Sequence, residues 1–118
     1  MSIIAKTLSK SAKFRKVEMD WEGEKVVFKE PSVRVRNMIF DKASKPVGDK
    51  GDVKIDPFLF QAYTIVYCTF NEKGEQEFGE EHVEMMLDLP AGTEWFAKFS
   101  EQATKLLGAD EDSKKQEG

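Results

Sequence analysis

The sequence predicts an α+β fold in which an N-terminal β-hairpin packs on about four α-helices within a single domain. The chain has 118 residues, which suits one domain better than two. Apolar and charged side chains alternate near the N-terminus, which is typical of a half-buried strand, and later segments place apolar residues at helical spacing. We expect the domain to occupy residues 14–108, between a basic N-terminal arm (1–13) and a disordered polar tail (109–118).

The predicted hairpin opens the domain. Phe14–Met19 alternates apolar and charged side chains, Asp20–Gly23 supplies turn residues, and Lys25–Lys29 is rich in strand formers. A hairpin alone is only marginally stable in water. Its apolar face is therefore expected to lie on the helices.

A helix and then a long loop are predicted next. Pro31 is suited to the first turn of a helix, and the segment up to about Ala43 has one apolar face. That face comprises Val35, Met38 and Ile39. Residues 44–56 lose the helical pattern and are rich in Gly, Asp, Lys and Ser, which indicates a loop. Since structureless loops of this length are uncommon unless they are functional or disordered, we expect a mobile binding element here.

The most apolar part of the chain runs from Pro57 to Phe70 and is predicted to be a buried central helix. A length of about 14 residues and the proline at the start favour the helix. The second half, Tyr63–Phe70, also has strand propensity, so an extended conformation is the alternative. Asn71–Gly74 is predicted to be a turn.

Two further helices complete the predicted domain. One spans Glu80–Leu89 and ends at Pro90, because proline cannot continue a helix. The other begins after Thr93, whose hydroxyl is expected to cap it, and stops at Gly108. It carries an apolar face made of Trp95, Phe96, Phe99, Ala103, Leu106 and Leu107.

The residues that usually carry out catalysis are scarce. His82 is the only histidine and follows two glutamates, so we predict a surface side chain rather than a general base. Cys68 is the only cysteine, which excludes an internal disulfide, and its apolar neighbours predict a buried, unreactive thiol. The sequence therefore predicts no enzyme activity, no metal site and no cofactor.

Charge and hydropathy limit the classes of partner. The net charge of −4 argues against nucleic acid, which requires clustered positive charge, and the basic residues before position 17 are interpreted as a solvated arm. No segment is long and apolar enough to span a membrane or to act as a secretory signal. We expect a cytoplasmic protein that binds neither nucleic acid nor membranes.

The candidate partner-binding residues are apolar side chains of the last two helices. Met85 and Met86 belong to a flexible apolar cluster, although such a cluster is also typical of an ordinary core helix. Trp95 and Phe96 are adjacent and therefore point about 100° apart, which makes one of them a candidate for an interface. The full set of candidates is Met85, Met86, Leu89, Trp95, Phe96 and Phe99.

The order of these features resembles a known family. A basic N-terminus precedes a hairpin around Trp21–Gly23 and the segment Val27–Ser32. A loop, the apolar run Ala62–Phe70, the turn Asn71–Gly74 and an aromatic C-terminal helix follow in that order. In this order the chain is similar to the tail assembly chaperones of long-tailed bacteriophages and prophages. The resemblance covers most of residues 1–108 and brings no catalytic or ligand residues with it.

The resemblance implies a function in phage tail assembly. Members of the family coat the tape measure protein, keep it soluble, assist the tail tube protein in assembling around it, and are absent from the finished virion. It implies self-association and a host cytoplasmic location. It further implies a longer frameshifted isoform, for which codons of Lys114–Lys115 are a candidate slippery site; a plain solvated tail is the alternative. The runner-up function is a structural tail completion or head–tail joining protein.

Overall fold

The computed structural model describes residues 3–11, 14–48 and 51–107. Its helices are α1 (Ile3–Ser11), α2 (Val33–Lys42), α3 (Pro57–Cys68), α4 (Val83–Leu87) and α5 (Glu94–Lys105). Its strands are β1 (Lys16–Trp21), β2 (Glu24–Lys29), β3 (Ser44–Val47), β4 (Asp52–Ile55) and β5 (Thr69–Phe70). The predicted α+β class with an N-terminal hairpin is confirmed.

The N-terminal hairpin pairs β1 with β2 in antiparallel register, from Lys16 opposite Lys29 to Trp21 opposite Glu24. Glu22 and Gly23 form the two-residue connection, and both have positive φ (51° and 83°). Such a turn matches the twist of the flanking strands, which is why a glycine is favoured there. Trp21 therefore belongs to the strand, whereas the sequence assigned it to the turn.

Helix α3 forms the centre of the domain, as predicted. Asp56 caps it, since its Oδ1 accepts hydrogen bonds from Phe58 N (2.9 Å) and Leu59 N (3.1 Å). Its fully buried residues are Ala62, Thr64, Ile65, Val66 and Cys68. The extended alternative applies only to Thr69–Phe70, which leave the helix as β5 and pair with β2.

The segment 44–56 is not a structureless loop, so that prediction was wrong. β3 and β4 form a second antiparallel hairpin, with Ser44 opposite Ile55 and Val47 opposite Asp52. The hairpin closes where Asp56 N donates to Ala43 O at 2.8 Å. Only Ser44 among the strand residues is partly covered. The sequence pattern failed here because short strands that bury nothing need no apolar alternation.

Several helices differ in detail from the predictions. The segment Glu80–Leu89 begins as a 3-10 turn at Glu80–His82 and becomes α-helical only over α4. Thr93 is the N-cap residue of α5, but its hydroxyl accepts no hydrogen bond from the helix and donates to Pro90 O at 2.7 Å. The predicted N-terminal arm contains α1, with Ile3 and Ile4 exposed. Gly108 and the predicted tail 109–118 lie outside the described residues.

The core lies between the β1–β2–β5 sheet and helices α3, α4 and α5. Phe28 has no exposed surface, and its ring meets Phe99 of α5 edge to face at 5.4 Å. Trp21 contacts the same Phe99 ring at 5.7 Å. Further core side chains are Val26, Ile65, Val66, Val83, Met86, Ala103 and Leu106. The sheet thereby holds α5 in place against α3.

Asp56 makes the stability of the fold depend on pH. The Lys45 ammonium at 2.8 Å and the backbone N–H of Leu59 lower the pKa of the Asp56 carboxyl below that of a free aspartate side chain. Since the pKa is lower in the folded state, the stabilisation is present above about pH 3.8 and is lost as pH falls through the folded pKa.

We expect Asp56→Asn to remove the part of the pH dependence of stability that comes from ionisation of the Asp56 carboxyl. Urea unfolding midpoints measured between neutral and strongly acidic pH would show a shallower loss of stability in the variant. Asp20→Asn is the control, because Asp20 is an exposed residue of β1 and forms no ion pair among the described residues. Identical acid profiles for wild type and Asp56→Asn would contradict this account.

Candidate functional site

An open apolar groove lies between α3, the α4–α5 connection and α5, with a volume of about 660 Å³. We call it the α3–α5 groove. It is lined by Phe58, Gln61, Met86, Leu87, Leu89, Pro90, Ala91, Thr93, Phe96, Ala97, Ser100, Glu101 and Thr104. Its lining is predominantly apolar, and its size is within the usual range for binding sites.

The groove has a fixed wall on α5. Phe96, Ser100 and Thr104 recur every four residues and therefore lie on one face of the helix. The Thr104 hydroxyl is satisfied internally, since it donates to Ser100 O at 2.7 Å. Glu101 is the one acidic residue among the lining side chains. The α5 wall thus combines the Phe96 ring and Ala97 with the hydroxyl-bearing side chains of Ser100 and Thr104 and the Glu101 carboxylate.

The opposite wall carries an exposed aromatic side chain. Phe58 is 64% exposed although it is one of the larger apolar residues of the chain. It sits at the N-terminal turn of α3, where its backbone N–H is held by the Asp56 carboxylate. The backbone at this position is therefore anchored while the ring faces solvent and the groove. Sequence analysis missed Phe58 because it was assigned to a buried helix.

The structure divides the predicted site residues into two groups. Met86, Leu89 and Phe96 line the α3–α5 groove. Met85 (66% exposed), Trp95 and Phe99 do not line it.

The two adjacent aromatics of α5 have different surroundings. Trp95 is covered by Phe78, with ring centroids 5.7 Å apart and planes inclined by 11°, while Phe96 reaches the groove. Phe99 is buried and contacts Trp95 edge to face at 5.4 Å. Phe96 is consequently the aromatic of this pair that is open to a partner. The Phe78 contact could not be read from the sequence, because it joins residues 17 positions apart.

His82 has a structural role in the described chain. Its Nδ1 accepts a hydrogen bond from Gly79 N at 2.9 Å, which holds the 3-10 turn before α4. The ring lies edge to face with Phe78 at 6.0 Å, and the side chain is 38% exposed. The predicted surface position is therefore only partly correct, since one ring nitrogen is used internally.

Cys68 is buried, as predicted, at the end of α3. Burial raises the pKa of its thiol to about 12, so the reactive thiolate is scarce at neutral pH.

We expect the Cys68 thiol of the native protein to react slowly with Ellman's reagent. The urea-unfolded protein is expected to release one equivalent of the coloured thionitrobenzoate product per chain. Rapid labelling of the native protein would show that the end of α3 opens readily.

Within the described residues, no three His, Cys, Asp or Glu side chains are grouped so that they could hold a metal ion. No helix in the same part of the chain is long and apolar enough to cross a bilayer.

Comparisons with protein-family models, curated proteins and solved structures gave no match to this chain.

Proposed function

We propose that this protein is a tail assembly chaperone that binds the tape measure protein of a long-tailed phage and keeps it soluble until the tail tube surrounds it. The observation that carries the proposal is the α3–α5 groove, an open apolar surface on a small domain. The family resemblance of the sequence supplies the identity of the client. The proposed location is the host cytoplasm, and the chain is proposed to be absent from the virion.

The form of the groove supports a helical client. One wall is a stretch of α5 from Phe96 to Thr104, which is about 12 Å long at 1.5 Å per residue. An amphipathic helix lying along this wall would place two turns of its apolar stripe against Phe96, Leu89 and Phe58. Helix-in-groove recognition depends on such apolar residues spaced by three and four positions.

The composition of the groove supports a client with a repetitive, variable sequence. Leu87, Leu89, Pro90 and Ala91 line the groove, and such apolar side chains select for apolar character rather than for one particular sequence. Eight of the thirteen lining residues are apolar, and the five polar ones are Gln61, Thr93, Ser100, Glu101 and Thr104. A long client could then bind several copies of the chaperone along its length, each weakly, and release them one by one as the tube grows.

The test is co-expression of this chain with the tape measure protein of the same phage. Increased solubility of the long protein and its co-purification with this chain would support the proposal. An insoluble tape measure protein would contradict it if the result persists when the longer frameshifted isoform is also present. The major tail tube protein is a second proposed contact and can be added to the same experiment.

The alternative is a structural protein that remains in the particle, such as a tail completion or head–tail joining subunit. Mass spectrometry of purified virions separates the two functions. A chaperone is absent or present in trace amounts, whereas a structural subunit is recovered in a constant ratio to the major tail protein.

A further inference from the structure

The β3–β4 hairpin has two edges of different chemistry. Because Asp56 N bonds Ala43 O and the register is known, the hydrogen-bonded pairs are Lys45 with Lys54 and Val47 with Asp52. The intervening pairs, Ser44 with Ile55 and Pro46 with Val53, direct their backbone groups outward. Each strand therefore presents alternate residues to its free edge.

Only the β4 edge can accept another strand fully. On β3 the outward position at the middle of the strand is Pro46, which has no N–H to donate. On β4 the outward positions are Val53 and Ile55, each with an N–H and a C=O. Proline is one of the devices that protect sheet edges, and here it protects β3 and leaves β4 open.

The side chains of the hairpin are also divided between its two faces. Pro46, Val53 and Ile55 share one face, and Val53 is 68% exposed. The other face places Lys45 directly opposite Lys54, an unfavourable pair of like charges. Lys45 is neutralised by Asp56 at 2.8 Å, but Lys54 and Asp52 form no ion pair among the described residues.

We propose that the β4 edges of two copies of this chain pair antiparallel about a two-fold axis, with Val53 opposite Val53 of the second copy. This register places Asp52 of each copy opposite Lys54 of the other, on the face where both charges are otherwise unpaired. It also joins the apolar faces of the two hairpins into one strip across a four-stranded sheet. The contact is isologous, as expected for a closed homodimer.

The charges select this register over the neighbouring one. Residues on the outward positions must pair with each other, so a shift by two residues places Val53 opposite Ile55 of the second copy. That register places the two Lys54 side chains directly opposite each other, which is unfavourable. The Val53-centred register instead forms two opposite-charge pairs. The inference does not depend on client binding, because the hairpin contributes no residue to the α3–α5 groove.

Charge reversal with rescue tests the proposal in the full-length protein. Asp52→Lys and Lys54→Asp each create two like-charge pairs across the axis, and each is expected to raise the dimer dissociation constant about tenfold or more in sedimentation equilibrium. The double variant Asp52→Lys/Lys54→Asp restores the opposite-charge pairs and is expected to dimerise like wild type. Lys73→Asp, in the Asn71–Gly74 turn, is the control for net charge.

Backbone chemistry provides a second test. Val53→Pro removes an N–H that the hairpin does not use internally, and it is expected to abolish the dimer while circular dichroism remains unchanged. Val53→Thr keeps the N–H and is expected to dimerise. A wild-type protein that stays monomeric at the highest soluble concentration would overturn the proposal, as would a double charge variant that fails to recover. Client binding measured on the same variants reports on the proposed function separately.

Discussion

Phe58→Glu is expected to abolish recovery of the tape measure protein in the co-expression experiment while leaving the chaperone folded. Phe58 is 64% exposed, so its removal costs little packing within the chain. Aromatic side chains at the centre of an interface commonly contribute at least about 2 kcal/mol, which is more than tenfold in affinity. A carboxylate introduced at this position would also require desolvation when an apolar helix enters the groove.

We expect the fold to tolerate Phe58→Glu for a local reason. Phe58 lies in the first turn of α3, where a negative charge interacts favourably with the helix dipole. Val33→Glu is the matched control, since Val33 is 72% exposed and begins α2 outside the groove. Client recovery unchanged by Phe58→Glu, or reduced equally by Val33→Glu, would remove the α3–α5 groove as the client site.

Phe28→Ala is expected to lower the free energy of unfolding by about 3–5 kcal/mol. Phe28 has no exposed surface, and its ring packs edge to face with Phe99 at 5.4 Å. The truncation leaves a cavity between the sheet and α5 and removes an aromatic contact. Since small domains are stable by only about 5–15 kcal/mol, the variant is expected to be close to unfolding at physiological temperature.

Urea denaturation followed by circular dichroism would measure this loss. Phe14→Ala is the control, because Phe14 is 59% exposed and its truncation is expected to change stability by no more than about 0.5 kcal/mol. A cost below about 1 kcal/mol for Phe28→Ala would mean that the sheet and α5 repack freely. It would also mean that the wall of the groove is less fixed than the aromatic contacts indicate.

The sequence carried enough local information to predict the fold class. The β1–β2 hairpin was recognisable because its alternation and its Gly23 turn act over neighbouring residues. The start of α3 was recognisable for the same reason, since Pro57 is set at its first turn. Burial of Cys68 followed from its apolar neighbours alone.

The groove was only partly predictable. Leu89 and Phe96 were candidates because they are large apolar residues of the last two helical segments, but the same pattern also selected Met86 and Phe99, which are buried in the core. Helical periodicity reports which residues share a face and not how that face is divided between core and surface. That division depends on where α3 crosses α5, and helix crossing is a non-local property.

The sequence by itself determined the secondary structure wherever the deciding interactions are local: a turn glycine, a proline in the first turn of a helix, an alternating strand. Only the tertiary structure decided which surfaces remain open. It placed Phe78 over Trp95, gave Thr69–Phe70 a strand partner in β2, and paired β3 with β4 across a segment that shows no strand pattern. Each of these contacts joins residues that are distant in sequence or bury little surface, and propensity and periodicity record neither.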